Sequence, residues 1–164
     1  MKNSIYIEAP VETVFDFVKE GKDAHLTPID TEILDMKVTK EGVGTYMNWR
    51  IKVVGIPVEG LDVVTDLVPN KRITSKSSRA MVGTWDYTFE PEGTGTRLTM
   101  EHRSRSFWQL PLLRSVMDMG TSRMNASYTA KLKAAIEAEA RKPKPVPQQR
   151  KAAAGRPRKA PTAT

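Results

Sequence analysis

The chain opens on a short alternating strand that runs directly into a proline-started amphipathic helix, and a second long helix follows only near residues 110–139. In the strand Ile5 and Ile7 point one way and Tyr6 and Glu8 the other. Pro10 suits the first helical position, where a missing N–H costs nothing. Val11, Val14, Phe15 and Val18 then recur at helical spacing, with Glu12 and Asp16 in the first turns, where carboxylates complement the helix dipole. Gly21 marks the end. One early helix, a run of strands and one late helix predict a sheet curled around the late helix. That arrangement encloses a pocket.

The run of strands reads as an antiparallel meander. Residues 31–38 alternate loosely, and Glu41-Gly-Val-Gly44 is a turn. From Thr45 the alternation is strict, with Met47, Trp49 and Ile51 on one face and Tyr46, Asn48 and Arg50 on the other. In the next segment Leu61, Val63, Thr65 and Leu67 share a face, which leaves Asp62 and Asp66 on the opposite, solvated side. Pro69-Asn70 turns the chain into residues 71–78. Trp85, Tyr87 and Phe89 then align, as do Leu98, Met100 and His102, opposite Glu101, Arg103 and Arg105. One-sided alternation of this kind belongs to strands with one wet face and one covered face. The cover is the late helix, whose Leu110, Leu113, Met117, Met124, Tyr128, Leu132 and Ile136 form a stripe about 40 Å long.

The net charge of +7 resolves into two parts. Residues 141–164 hold eight basic and no acidic residues. That leaves 18 of the 26 basic residues against all 19 acidic ones in the body, a net charge of −1. The segment 141–164 also carries five prolines and no aromatic residue, so it cannot bury enough surface to offset its ordering entropy. The reading is therefore a folded domain over 1–140 and a disordered basic tail over 141–164. The chain has no cysteine, which excludes disulfides, thiolate nucleophiles and cysteine zinc sites. It shows neither a secretory start nor about 20 consecutive apolar residues, so the expected location is cytoplasmic.

Several stretches, IYIEAPVETVFDFVKE, GVGTYMNWRI, DLVPNKRI, WDYTFEPEGTGTRLTMEHR and LKAAIE, resemble in order and spacing the START-like (SRPBCC) helix-grip superfamily. The likeness is to its bacterial polyketide cyclase/dehydrase and lipid-transport-like members, over residues 2–138. It implies an α+β fold, a curved seven-stranded antiparallel sheet around a long C-terminal helix, with a hydrophobic cavity between them. It implies no single reaction, because function resides in the site and not in the fold.

On that frame the expected ligand-binding set is Met47, Trp49, Ile51, Leu61, Val63, Trp85, Tyr87, Leu98, Met100, His102, Met117, Met124 and Tyr128. Methionine adapts to varied apolar shapes, which suits such a lining, although it also fills gaps in ordinary cores. His102 is the one imidazole aimed inward, a weak candidate for a base or a ligand contact. No nucleophile elbow, phosphate loop, dinucleotide fingerprint or metal-ligand spacing appears, so no catalytic residue, cofactor or metal is assigned. Phe107, Trp108 and Leu110 join the last strand to the late helix and are read as a cavity entrance. In the tail, Gly155, Arg156, Pro157, Arg158 and Lys159 resemble an AT-hook core, which enters the minor groove of A·T-rich DNA; a generic cationic tail is the plainer reading. The function expected is binding or transport of a small hydrophobic ligand. A cyclase or dehydratase using the same pocket and a nucleic-acid-associated protein with a DNA-, RNA- or anionic-lipid-contacting tail are the alternatives.

Overall fold

In the computed structural model, residues 2–26, 31–53, 55–79, 82–104 and 111–142 are described, the last segment by backbone alone up to residue 125. Strand β1 spans Lys2–Ile7, α1 Val11–Lys19, and a 3-10 turn Lys22–Leu26. Strands β2 (Glu32–Lys37), β3 (Tyr46–Val53), β4 (Ile56–Val68), β5 (Arg72–Arg79), β6 (Gly83–Glu92) and β7 (Gly95–Ser104) follow, and α2 runs Pro111–Ala140. The seven strands form one antiparallel sheet in the order β1-β7-β6-β5-β4-β3-β2. Strands β1 and β2 are consecutive in sequence yet occupy opposite edges, so α1 and the 3-10 turn carry the chain across. This is the α+β helix-grip architecture that the alternation and the late helix predicted.

The local sequence explains the joints. Pro10 stands at the N-cap of α1 (φ −57°, ψ 148°), one place before the first helical residue that the sequence reading gave it. Its ring fixes φ there without costing a helical hydrogen bond. Past α1, Gly21 adopts φ 66°, and a Cβ there would lie 2.0 Å from the methyl of Met36. Only glycine meets both demands.

Helix α2 is fastened at its C-terminal half. Leu132 and Ile136 are fully buried against Ile7, Val14, Phe15, Phe89 and Leu98. Phe15 and Phe89 meet edge to face at 5.3 Å. A polar clasp reinforces this packing. Lys133 Nζ donates to the Tyr6 carbonyl (2.8 Å), and Glu137 accepts the Glu8 backbone N–H (2.9 Å) and pairs with Lys133 (2.7 Å). These contacts make one end of the sheet–helix interior dry.

Strand β4 departs from strict alternation. Its register with β5 shifts between Val64 and Asp66, so Thr65 is the extra residue of a bulge. On β3, Trp49 faces Gly60, and Met47 faces Asp62. Gly60, Asp62 and Val64 therefore point inward before the bulge, and Leu67 points inward after it. Leu61 and Val63 take the outer face with Asn48 and Tyr46. The expectation that Leu61 and Val63 line the interior, and that Asp62 is solvated, is corrected by this register. The outer face is a charged ladder: Arg50 pairs with Glu59 (2.7 Å) and Glu32 (3.2 Å), and Arg103 with Asp86 and Glu101.

Candidate functional site

At the other end of the interior the inward-facing side chains are not sealed. Met47, Ile51, Asp62, Ser75, Trp85, Tyr87 and His102 on the sheet, Tyr128 on α2 and Asp23 on the 3-10 turn are all only partly buried. Trp49 is buried at 7% exposure, its ring lying over Gly60, where a Cβ would come within 2.0 Å of it. Gly60 is thus a seat for an indole. Trp85 stacks on His102 at 4.1 Å between ring centroids, and on Tyr87 at 6.5 Å. Trp49 on β3, Trp85 and Tyr87 on β6 and His102 on β7 form the aromatic part of the wall.

Two carboxylates stand in this apolar setting. Asp62 accepts from Trp49 Nε1 (2.9 Å) and from Ser77 Oγ; burial raises its pKa, and those two bonds pull the other way. Asp23 accepts from the Tyr128 hydroxyl (3.1 Å), and burial pushes its carboxyl from the ordinary 3.8 up to about 6. The Tyr87 hydroxyl lies beside that of Tyr128. Burial raises both phenols well above their ordinary range, and Asp23 and Asp62 both add to the effect on Tyr87. Three elements thus bring polar groups together: the Asp23–Tyr128 pair, with the Tyr87 hydroxyl and Asp62 near it. Burial lowers His102 below its ordinary value, so its imidazole is neutral around neutral pH. These groups are desolvated enough to shift, and they sit on residues that keep partial exposure. Perturbed titratable groups in such a place mark candidate sites.

The residues expected from sequence divide as follows. Met47, Trp49, Ile51, Trp85, Tyr87, His102 and Tyr128 gather at this end. Leu98 and Met100 belong to the dry core, at 0% and 6% exposure, because β7 runs from the packed end toward the open one. The side chains of Met117 and Met124, and residues Phe107, Trp108 and Leu110, lie outside the described residues. So do Gly155, Arg156, Pro157, Arg158 and Lys159. Sequence reasoning missed Asp23, Asp62, Ser75 and Ser77. For Asp62 a signal existed: Gly60, two residues earlier, is the natural partner of an inward tryptophan. For Asp23 there was none, since a five-residue turn has no periodicity to read. Among the described residues no group of His, Asp and Glu side chains could hold a metal ion, and no helix is long and apolar enough to cross a membrane.

Asp23 carries a stability consequence. Unfolded, it ionises near 3.8; folded, near 6. Its neutral form favours the fold fully below the lower value, and that advantage is lost as pH rises through about 6. A shift of this size corresponds to roughly 3 kcal/mol, which access from the open interior trims to about 1–2 kcal/mol. Asp23→Asn should therefore stabilise the protein by about 1–2 kcal/mol near pH 8 and by almost nothing near pH 4. Urea unfolding at the two pH values reads the difference. A loss of stability at the higher pH would show that the ionised carboxylate is compensated.

This geometry defines a class: a sheet gripping a helix, packed dry at one end and lined by accessible aromatic and acidic side chains at the other. The chain belongs to the family described as polyketide cyclase/dehydrase and lipid transport, whose profile matches residues 1–137. Its architecture is that of the START-like helix-grip superfamily. No curated protein matches it. Among solved structures it is similar to TTHA0849 from Thermus thermophilus, with a TM-score of 0.68 and 21% identity over 85% of this chain and 98% of that one. Ms6760 from Mycobacterium smegmatis gives a TM-score of 0.61 and 18% identity, over 84% and 90% of the two chains. StfQ, a di-domain ARO/CYC of the steffimycin biosynthetic pathway, gives 0.64 and 16%, over 85% of this chain and 51% of that one. At these identities the shared content is the fold.

Proposed function

We propose that the protein binds a small or medium hydrophobic molecule, lipid-like or polyketide-like, between α2 and the β3–β7 end of the sheet. The observation that carries this reading is the contrast within one interior. Ile7, Val14, Leu98, Leu132 and Ile136 are sealed to 0% exposure, whereas Trp85, Tyr87, Tyr128 and Ser75 face inward and remain accessible. Mostly apolar walls with a few convergent polar groups are the usual make-up of a small-molecule site. The family description, which names both cyclase/dehydrase activity and lipid transport, supports the same reading. An apolar fluorescent probe should bind with micromolar affinity, on the order of 7–8 kcal/mol, at one site per chain. Absence of saturable binding by the folded protein would end this reading.

A second reading is favoured by one observation. Asp23, held up to about 6 and hydrogen-bonded to Tyr128, is an interior acid or base poised near neutral pH. A cyclase or dehydratase in the same pocket would use such a group, and StfQ is an ARO/CYC of similar fold. The two readings separate chemically. A carrier returns its ligand unchanged, whereas a cyclase/dehydratase returns a product that has lost water, as mass spectrometry of the recovered ligand would show. As an accessory proposal, the eight basic residues of 141–164 make weak contact with nucleic acid or anionic lipid.

A further inference from the structure

Asp62 stands apart from the other carboxylates of the sheet. On the outer face Glu32, Glu59, Asp86 and Glu101 each lie against an arginine. Asp62 points inward, where its oxygens accept from neutral donors, Oδ2 from Trp49 Nε1 at 2.9 Å and Oδ1 from Ser77 Oγ. Among the described residues no lysine or arginine pairs with it. An ionised carboxylate offers about four lone-pair sites, so two neutral hydrogen bonds leave acceptor capacity on both oxygens. The residues around it are small on one side. Across the inward face its row reads Met47, Asp62, Ser77, Gly83. Toward β6 the carboxylate therefore meets only a hydroxymethyl group and a glycine, and Asp62 keeps partial exposure. Trp49 flanks it on β3, and Trp85, stacked on His102, stands in the next inward row on β6. A carboxylate among indoles complements a cation. It supplies charge-assisted hydrogen bonds, and the ring faces supply their quadrupole. A ligand carboxylate in the same place would lose hydration and meet like charge.

We propose that Asp62 is the polar anchor of the interior site, and that the site selects apolar amines, bound as ammonium ions, over neutral and acidic molecules of the same skeleton. This rests on the reading of the interior as a ligand site and names the chemical class that the site selects. Asp62 is the specificity-determining residue, and it acts by touching the ligand nitrogen. Trp49 and Ser77 are positioning residues that aim its oxygens.

The test uses four probes of one skeleton, naphthalene, 2-naphthylmethanol, 2-naphthylmethylamine and 2-naphthoate, titrated against the full chain near neutral pH. The amine should bind about tenfold tighter than naphthalene, the alcohol about threefold tighter, and 2-naphthoate about tenfold weaker or worse. The order is informative because the whole chain carries a net charge of +7, so non-specific attraction would favour the anion. Adding salt, which screens exposed charges, should leave the preference for the amine in place. Asp62→Asn should remove the advantage of the amine over the alcohol. A merely structural Asp62 would weaken all four probes together and keep their order, which overturns the assignment. Circular dichroism confirms that the variant is folded. Asp62→Ser replaces it if it is not, and the order measured on the unaltered chain tests the selectivity in either case. An amine no tighter than naphthalene, or 2-naphthoate as the tightest probe, overturns the selectivity and leaves the ligand site standing. Failure of all four to bind overturns both.

Discussion

Ser75→Trp should abolish binding of an apolar probe, weakening it by about thirtyfold or more, while leaving the fold intact. Ser75 faces inward on β5, opposite Val64 on one side and Trp85 on the other. It is small and only partly buried. An indole there has two possible fates. In a tightly packed interior it would force off-rotamer side chains and backbone shifts costing about 1–3 kcal/mol. In open space it occupies the volume that a ligand would use and changes stability little. Probe titration and thermal unfolding of the same variant therefore decide between a cavity and a core. Lost binding at unchanged melting temperature is the expected pair. Retained binding with a clear loss of stability would move the ligand elsewhere and make this end a packed interior.

Ile136→Ala should carry the largest stability penalty of any single truncation considered, about 3–4 kcal/mol. Ile136 is 0% exposed, and with Leu132 it fills the contact between α2, α1 and the β1–β7–β6 edge of the sheet. Truncation removes buried methyl and methylene groups and leaves a cavity that two helices and a sheet cannot easily close. For a domain of this size the melting temperature should fall by about 8–14 °C. Ile56→Ala, at a side chain 66% exposed, should change it by less than about 2 °C. Urea unfolding gives the free energies directly. A penalty at Ile136 below about 1 kcal/mol would mean that the clasp of Lys133 and Glu137, and not apolar packing, holds α2 down.

Much of the fold was legible because period-two alternation survives wherever one strand face is wet. Strands β3, β6 and β7 showed it cleanly, and Trp49, Trp85, Tyr87 and His102 were placed inward for that reason. Tyr128, Leu132 and Ile136 were found from helical spacing alone. Strand β4 misled for a physical reason. Val63 and Val64 are adjacent and both apolar, so either parity is plausible, and the bulge at Thr65 brings Leu67 inward from the parity of Leu61 and Val63. The wrong parity hid Asp62. Asp23 escaped because its burial is a tertiary fact: a short turn after Gly21 places it under Tyr128. The polar part of the site was therefore invisible to pattern, and the aromatic part was not.

The claim at the centre of this account is that a ligand enters between α2 and the β3–β7 end and nowhere else in the interior. Amide and indole NMR of the labelled protein, titrated with the apolar probe, tests it most directly. Saturable shifts should appear at the Trp49 and Trp85 indoles and at the amides of Ser75, Tyr87 and Tyr128. The amides of Ile7, Phe89 and Leu98, in the dry core, should stay still. Shifts confined to outer-face residues such as Arg50, Val63 and Lys76, or none at all at saturating probe, would contradict it.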